Sequence, residues 1–445
     1  MSNKLHTAPV LDKVETVQRD GPKHQASVLE KLGPGLITGA ADDDPSGIAT
    51  YSQAGAHFGN TMLWTLVFTY PLMAGIQIIS ARLGRVTGYG LAGIMRNFYA
   101  PAWLYTLVCL LLIANTINIA ADISAMGNAL ALVLGGPRHF YAAGLGLVCC
   151  LLQVFISYNR YVRGLKWLTL SLFAYVGIVF AVPIPWPVVM KDALWPSINL
   201  GADHITMIVA IFGTTISPYL FFWQASQEVE DLNAVDADKP LRGHPEQAGL
   251  NLKRIKIDTL IGMGFSNLIA FFIMLTAAAA LHQHGITDIQ TSTQAAEALR
   301  PIAGRFAFVL FALGILGTGM LSIPVLAGSA AFAVAEAFGW RQGLNLNPRL
   351  GMRFYGIIVA ATLIGIALGF TKLDSIKALF WSAVINGIIS VPVMAMMMRM
   401  AVNPKVMGQF VISRRLRITG WLATIIMAFV VLLMFAQLVD LGTLS

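Results

Sequence analysis

Apolar runs of about 20 residues, separated by short polar loops, constrain this 445-residue chain more than any other feature. Eleven can be drawn, at roughly 35–57, 61–82, 101–134, 140–158, 165–189, 204–226, 257–281, 305–338, 354–371, 376–400 and 417–439. A chain crossing lipid must satisfy its backbone polar groups internally, and helices do this within one segment. The predicted fold class is therefore an all-α polytopic membrane protein with eleven transmembrane helices. Charged residues make up 12% of the chain, against about 25% in soluble domains, while 56% are hydrophobic. Too little polar surface remains for a globule in water.

Residues 1–31 are polar and mixed in charge, with no apolar core followed by a small-residue cleavage site. They are expected to form a flexible cytoplasmic tail. The net charge of +8 invites a nucleic-acid reading, but the positions of the basic residues exclude it. With the N-terminus inside, only Arg138, Lys191, Arg300, Arg305, Lys372 and Lys377 of the 30 lysines and arginines fall on the outer side. The positive-inside rule thus predicts an inner-membrane protein with a cytoplasmic N-terminus and an outside C-terminus. Cys109, Cys149 and Cys150 lie within apolar runs and are expected to be small buried side chains.

The first run is interrupted where a membrane helix should be continuous: Asp42, Asp43 and Asp44 precede Pro45, Ser46 and Gly47. Carboxylates at bilayer depth are costly, and the break frees carbonyls that need partners. A bound cation would relieve both. The sixth run carries Gly213, Thr214, Thr215, Ser217 and Pro218 at its middle, and Pro218 releases the carbonyl of Thr214. Runs one and six each open a group of five, the spacing of an inverted five-helix repeat with its substrate site between two broken helices. The predicted organisation is a first repeat over 32–203, a second, inverted one over 204–400, and an eleventh helix with the C-terminus over 401–445.

The two breaks offer oxygen ligands: Asp44, the carbonyl near Thr214, the Ser217 hydroxyl and the hydroxyls of Thr214 and Thr215. Hard divalent cations take such donors. No Cys, His or Met lies at either break, which points toward magnesium, manganese or calcium. Small residues at Gly47 and Ser217 leave room for an ion that keeps part of its water. Asp44 abuts the break and is the leading ligand candidate. Asp43 is a second, and Asp42 either faces an aqueous vestibule or pairs with a basic residue.

At these residues the chain resembles the NRAMP family of divalent metal transporters. The stretches ATYSQAGAHFG, ARLGRVTG, RYVRGLKWLTLSLFAYV, IDTLIGMGFSNLIAFFIMLTAAAALH, AAEALRPIAG and MGQFVISRRLRITGWL carry the likeness across nearly the whole chain. The resemblance implies eleven helices of the amino-acid/sodium symporter type, with alternating access around a midmembrane metal site. The departures fall on the chemistry. The family's Asp-Pro-Gly-Asn is here Asp44-Pro45-Ser46-Gly47, and its Ala-x-x-Met-Pro-His is here Thr214-Thr215-Ile216-Ser217-Pro218-Tyr219. An asparagine ligand and a thioether are replaced, a pattern similar to the NRAMP-related magnesium transporter branch.

Proton coupling is affected too. The family's third-helix Asp-x-x-Glu aligns with Asp122 and Ala125, and its sixth-helix histidine with Tyr219. Asp122 and Arg353 remain as a proton or charge relay, or Asp122 is a paired structural charge. Asn267, Asn386 and Tyr219 are secondary polar candidates, with interhelical hydrogen bonding as the plainer role of the two asparagines.

The expected function is import of a hard divalent cation, magnesium and/or manganese, with weak or no proton coupling. The alternatives are a classical proton-coupled manganese/iron importer and an organic-substrate symporter of the same fold. No metalloenzyme motif such as His-Glu-x-x-His occurs, so no catalysis is expected. The expected partners are the divalent ion, carried as substrate rather than held as cofactor, and the lipid bilayer. No obligatory protein partner is evident.

Overall fold

The structure is a computed structural model that describes residues 38, 39, 41–156, 169–234, 237–370 and 374–443. Every regular element among them is helical: α1 Pro45–Phe58, α2 Leu63–Thr87, α3 Leu91–Phe98, α4 Pro101–Leu134, α5 Arg138–Phe155, α6 Trp186–Leu194, α7 Ala202–Thr215 and α8 Pro218–Ala234. Then follow α9 Ala248–Ala280, α10 Ala307–Phe338, α11 Met352–Gly369, α12 Ser375–Ala401 and α13 Arg414–Thr443, with shorter helical turns between them.

Among the described residues, nine stretches are long and apolar enough to cross a membrane. The difference from eleven has two sources. The first two runs fall together in Pro45–Thr87, because only a single 3-10 turn, Gly59–Met62, separates α1 from α2. The run at 165–189 is represented by the shorter apolar stretch Leu170–Ala181, and residues 157–168 lie outside the described residues. The tail at 1–31 lies outside them as well.

Both breaks form. Helical backbone reaches Asp42, bends at Asp43 and resumes at Pro45. Asp44 is extended there (φ −73°, ψ 170°) and caps α1, while Pro45 occupies the first turn, where its missing N–H costs nothing. In the sixth run α7 ends at Thr215, Ile216 leaves helical geometry (φ −119°, ψ 58°), and α8 starts at Pro218.

Among the described residues, the stretch that holds the second break is the most enclosed of the apolar helices. Of the apolar windows, that in Ala202–Ala234 is 94% buried and that in Pro45–Thr87 is 72%, against 22% for Arg138–Phe155 and 39% for Arg414–Gln437. The helices Arg138–Phe155 and Arg414–Gln437 are therefore outer ones, and the second break lies inside. Close approach depends on small residues, as is common between membrane helices. A Cβ on Gly55 would lie 2.1 Å from the Met274 carbonyl of α9, and one on Gly213 of α7 would lie 2.0 Å from the Ala383 carbonyl of α12.

The loop between α8 and α9 is tied down by charge pairs. Arg85 of α2 reaches Asp238 at 2.5 Å and Asn251 at 2.7 Å, and Arg254 of α9 reaches the buried Glu228 of α8 at 2.5 Å. Just past the same end of α2, the buried Glu336 accepts hydrogen bonds from the backbone N–H groups of Gly90 and Gly93, both 2.9 Å, at the start of α3.

Candidate metal site between two broken helices

Asp44 holds its carboxylate at the first break through its own backbone. Its Oδ1 accepts from the Gly47 N–H at 2.7 Å and from the Ser46 hydroxyl at 2.8 Å. Among the described residues its Oδ2 accepts only the Tyr219 hydroxyl, at 3.3 Å, from the first turn of α8. The same hydroxyl lies 3.4 Å from the Ala41 carbonyl. One oxygen is thus committed to capping and the other is lightly held, facing the second broken helix.

The second break meets the first at Gly47. A Cβ there would sit 3.2 Å from Thr214 Oγ1, 3.3 Å from the Tyr51 ring and 3.6 Å from the Asp42 carbonyl. The Thr214 carbonyl freed by Pro218 is approached by the Ser217 hydroxyl at 2.9 Å, and that hydroxyl donates to the Gly213 carbonyl at 2.7 Å. Its one proton is directed at its own helix, so only its lone pairs face an ion. Thr215 likewise turns inward, to the Ile211 carbonyl at 2.9 Å.

Asp42 and Asp43 point to α9. Ser266 donates to Asp42 Oδ2 at 2.6 Å and lies 3.1 Å from Asp43 Oδ1. A hydroxyl has one proton, so the shorter contact is the bond and Asp43 is the less satisfied acid. Neither alternative for Asp42 holds as stated: its partner is a serine, with Asp42 only 1% exposed. Ser266 was not singled out in the sequence. Its signal was a polar pair, Ser266-Asn267, inside an apolar run, of which only the asparagine drew attention.

Asp122 of α4 accepts the Ser322 hydroxyl of α10 at 2.6 Å. The breaks and this pair are neighbours through Gly319, where a Cβ would lie 2.7 Å from Met126 Sδ and 3.3 Å from Pro45 Cγ. Arg353 is elsewhere. It is exposed in the first turn of α11, its guanidinium 5.4 Å over the Trp340 ring, and it makes no contact with Asp122 or the breaks among the described residues. Asn386 of α12 is buried with both amide atoms unpartnered, next to Gly387, which packs against Val209 of α7. Asn267 is half-buried and its amide oxygen has no partner.

Among the described residues, no group of three or more His, Cys, Asp or Glu side chains is placed to hold a metal ion. A cation between the breaks would be met by one or two carboxylates, with hydroxyls, carbonyls and its own water completing the shell. The chain as a whole matches a known protein family: the model described as Natural resistance-associated macrophage protein-like covers residues 35–437. The chain belongs to the Nramp family.

Among its Nramp relatives, the divalent metal cation transporter MntH of Klebsiella pneumoniae (strain 342) is 27% identical over 409 residues, covering 88% of this chain and 90% of that one. MntH of Deinococcus radiodurans is 26% identical over 420 residues, covering 91% and 89%. The fold is also that of the Eremococcus coleocola manganese transporter. Its crystal structure in complex with an aromatic bis-isothiourea substituted compound has a TM-score of 0.70 at 20% identity, over 93% of this chain and 87% of that one. A mutant of the same transporter has a TM-score of 0.73 at 19% identity, over 94% and 88%.

Proposed function

We propose that this chain is a secondary transporter that imports a hard divalent cation, magnesium and/or manganese, by alternating access around the two breaks. The observation that carries the reading is the meeting of the two broken helices at Asp44, whose Oδ2 is held among the described residues only by Tyr219 while Gly47 faces Thr214. The proposed ligands are Asp44 and Asp43, with Thr214 and Ser217 supplying oxygen and Gly47 letting the two breaks approach closely. Relatives named as divalent metal cation transporters support the ion's charge. The neighbour named as a manganese transporter keeps manganese in the range.

The break segments 42–47 and 213–218 carry no thioether or imidazole of their own, which favours hard ions over iron. Tyr219 and Ala125, standing where the family carries groups that exchange protons, support transport with weak or no proton coupling. The membrane potential then supplies the drive, about 2.3 kcal/mol per charge per 100 mV. The rest of the reading is an inner-membrane placement with the N-terminus cytoplasmic and the C-terminus outside. The chain divides into repeats at 32–203 and 204–400.

The test is uptake of magnesium and of manganese into the same proteoliposomes with a pH reporter inside. Influx of both ions without acidification is expected. Acidification that requires metal, with a weak magnesium response, would instead establish the classical proton-coupled manganese/iron importer.

A further inference from the structure

One face of α4 carries Asn115, Asn118 and Asp122, spaced three and four residues apart and therefore stacked along the helix. All three are fully buried. Two of these rungs are tied to α10: Ser322 donates to Asp122 at 2.6 Å, and the Asn115 amide donates to the Leu326 carbonyl at 2.8 Å and to Ser329 at 2.9 Å. Numbers rise along α4 as they fall along α10, so the helices are antiparallel and Asn118 lies between the two tied rungs.

Polar atoms on this seam nevertheless lack partners. Both amide atoms of Asn118, Asp122 Oδ1, Asn115 Oδ1 and Thr318 Oγ1 make no hydrogen bond among the described residues. Buried groups of this kind are normally paired with protein, water or a ligand. The described residues give Asp122 no lysine, arginine or histidine as an ion-pair partner, and Met126, one turn further along α4, lies with Pro45 against Gly319, beside the Asp44 break. Two carboxylates sharing a low-dielectric interior repel unless a cation stands near both.

We propose that Asp122, Asn118 and Ser322 form a second cation subsite, a stop for the divalent ion beside the Asp44 break. The free carboxylate oxygen and the amide oxygen are hard ligands, and the amide NH2 donates to a water kept by the ion. The subsite rests on the reading that the ion is carried at Asp44. Its position on α4, outside both breaks, gives it a separate signature. Occupancy at Asp44 sets equilibrium binding, whereas a neighbouring stop sets how quickly the ion moves on.

The experiment uses the full chain with Mn2+ as probe, comparing Asn118→Leu, Ser322→Ala and Asp44→Asn with wild type. For Asn118→Leu and Ser322→Ala, calorimetric Mn2+ affinity in detergent is expected to stay within about threefold, while the initial rate of proteoliposome uptake falls by about tenfold or more. Retained binding also reports a folded protein, and Ser322→Ala, which removes one hydroxyl, decides the matter if Asn118→Leu does not fold. Uptake within about twofold of wild type in the folded variants would overturn the subsite, as would binding that falls in step with uptake. Asp44→Asn is expected to lose binding outright. Retained binding there would overturn the parent reading instead, so the two failures are distinct.

Discussion

The Tyr219 hydroxyl donates to Asp44 Oδ2 across 3.3 Å, so the residue that caps one broken helix is held by the first turn of the other. The contact is long for an O–H···O bond, and Oδ1 already has two donors. Tyr219→Phe should therefore cost about 1 kcal/mol of stability or less and leave divalent binding in place. Thermal melting with calorimetric Mn2+ titration checks both. Loss of all binding in Tyr219→Phe would mean that the phenol, not the carboxylate, organises the site.

Among the described residues, Ser266 is the one hydroxyl bonded to the Asp42–Asp43 pair. Ser266→Ala leaves a buried carboxylate without its donor, at a cost of about 1–3 kcal/mol. A lowered melting temperature is expected, recovered when divalent metal is added if Asp43 is a ligand. Metal-independent destabilisation would place both acids outside the metal's reach.

Ser217 stands where a thioether would favour transition metals. Ser217→Met supplies a soft ligand, narrows the cavity and removes the hydroxyl bonded to the Gly213 carbonyl. Competition uptake should shift toward cadmium or iron and away from magnesium. Unchanged selectivity would show that the ion does not touch this position.

Gly213 allows α7 to lie against α12 with backbone in contact. Gly213→Ala would place a Cβ 2.0 Å from the Ala383 carbonyl and 2.6 Å from the Gly387 nitrogen, and neither neighbour is a side chain that can swing aside. The expected destabilisation is about 3 kcal/mol, seen as poor yield and early melting in detergent. Wild-type melting would show that the two helices pack less closely.

Glu228 is buried against Arg254. Arg254→Met strands that carboxylate and should cost about 3–5 kcal/mol, most of it recovered in the double variant with Glu228→Gln. A double-mutant cycle on melting curves measures the coupling. Additive losses would show that the pair contributes little.

How much of this was legible in the sequence follows from which signals are local. Asp44-Pro45 and Ser217-Pro218 announce breaks, because proline cannot donate and the acid beside it needs a cap or a cation. Tyr219 was visible as a departure from a motif, but not as the donor to Asp44. Ser266 was missed because hydroxyls in apolar helices commonly bond back to their own carbonyls, as Thr215, Thr362 and Thr424 do here. Which ones reach across is decided by packing. Arg353, read with Asp122 as a proton or charge relay, stands at the start of α11 over Trp340, the ordinary place for a charge bordering an apolar run. Length alone divided the first two runs, while the structure joins them through Gly59–Met62, where Gly59 takes a positive φ of 59°.

The most direct measurement is equilibrium Mg2+ and Mn2+ binding, with uptake, in Asp44→Asn beside wild type. The substitution preserves shape and keeps an oxygen at the break, so the melting temperature should hold. Binding and uptake of both ions are expected to disappear. Full uptake by Asp44→Asn would contradict the assignment of this break as the seat of the transported ion.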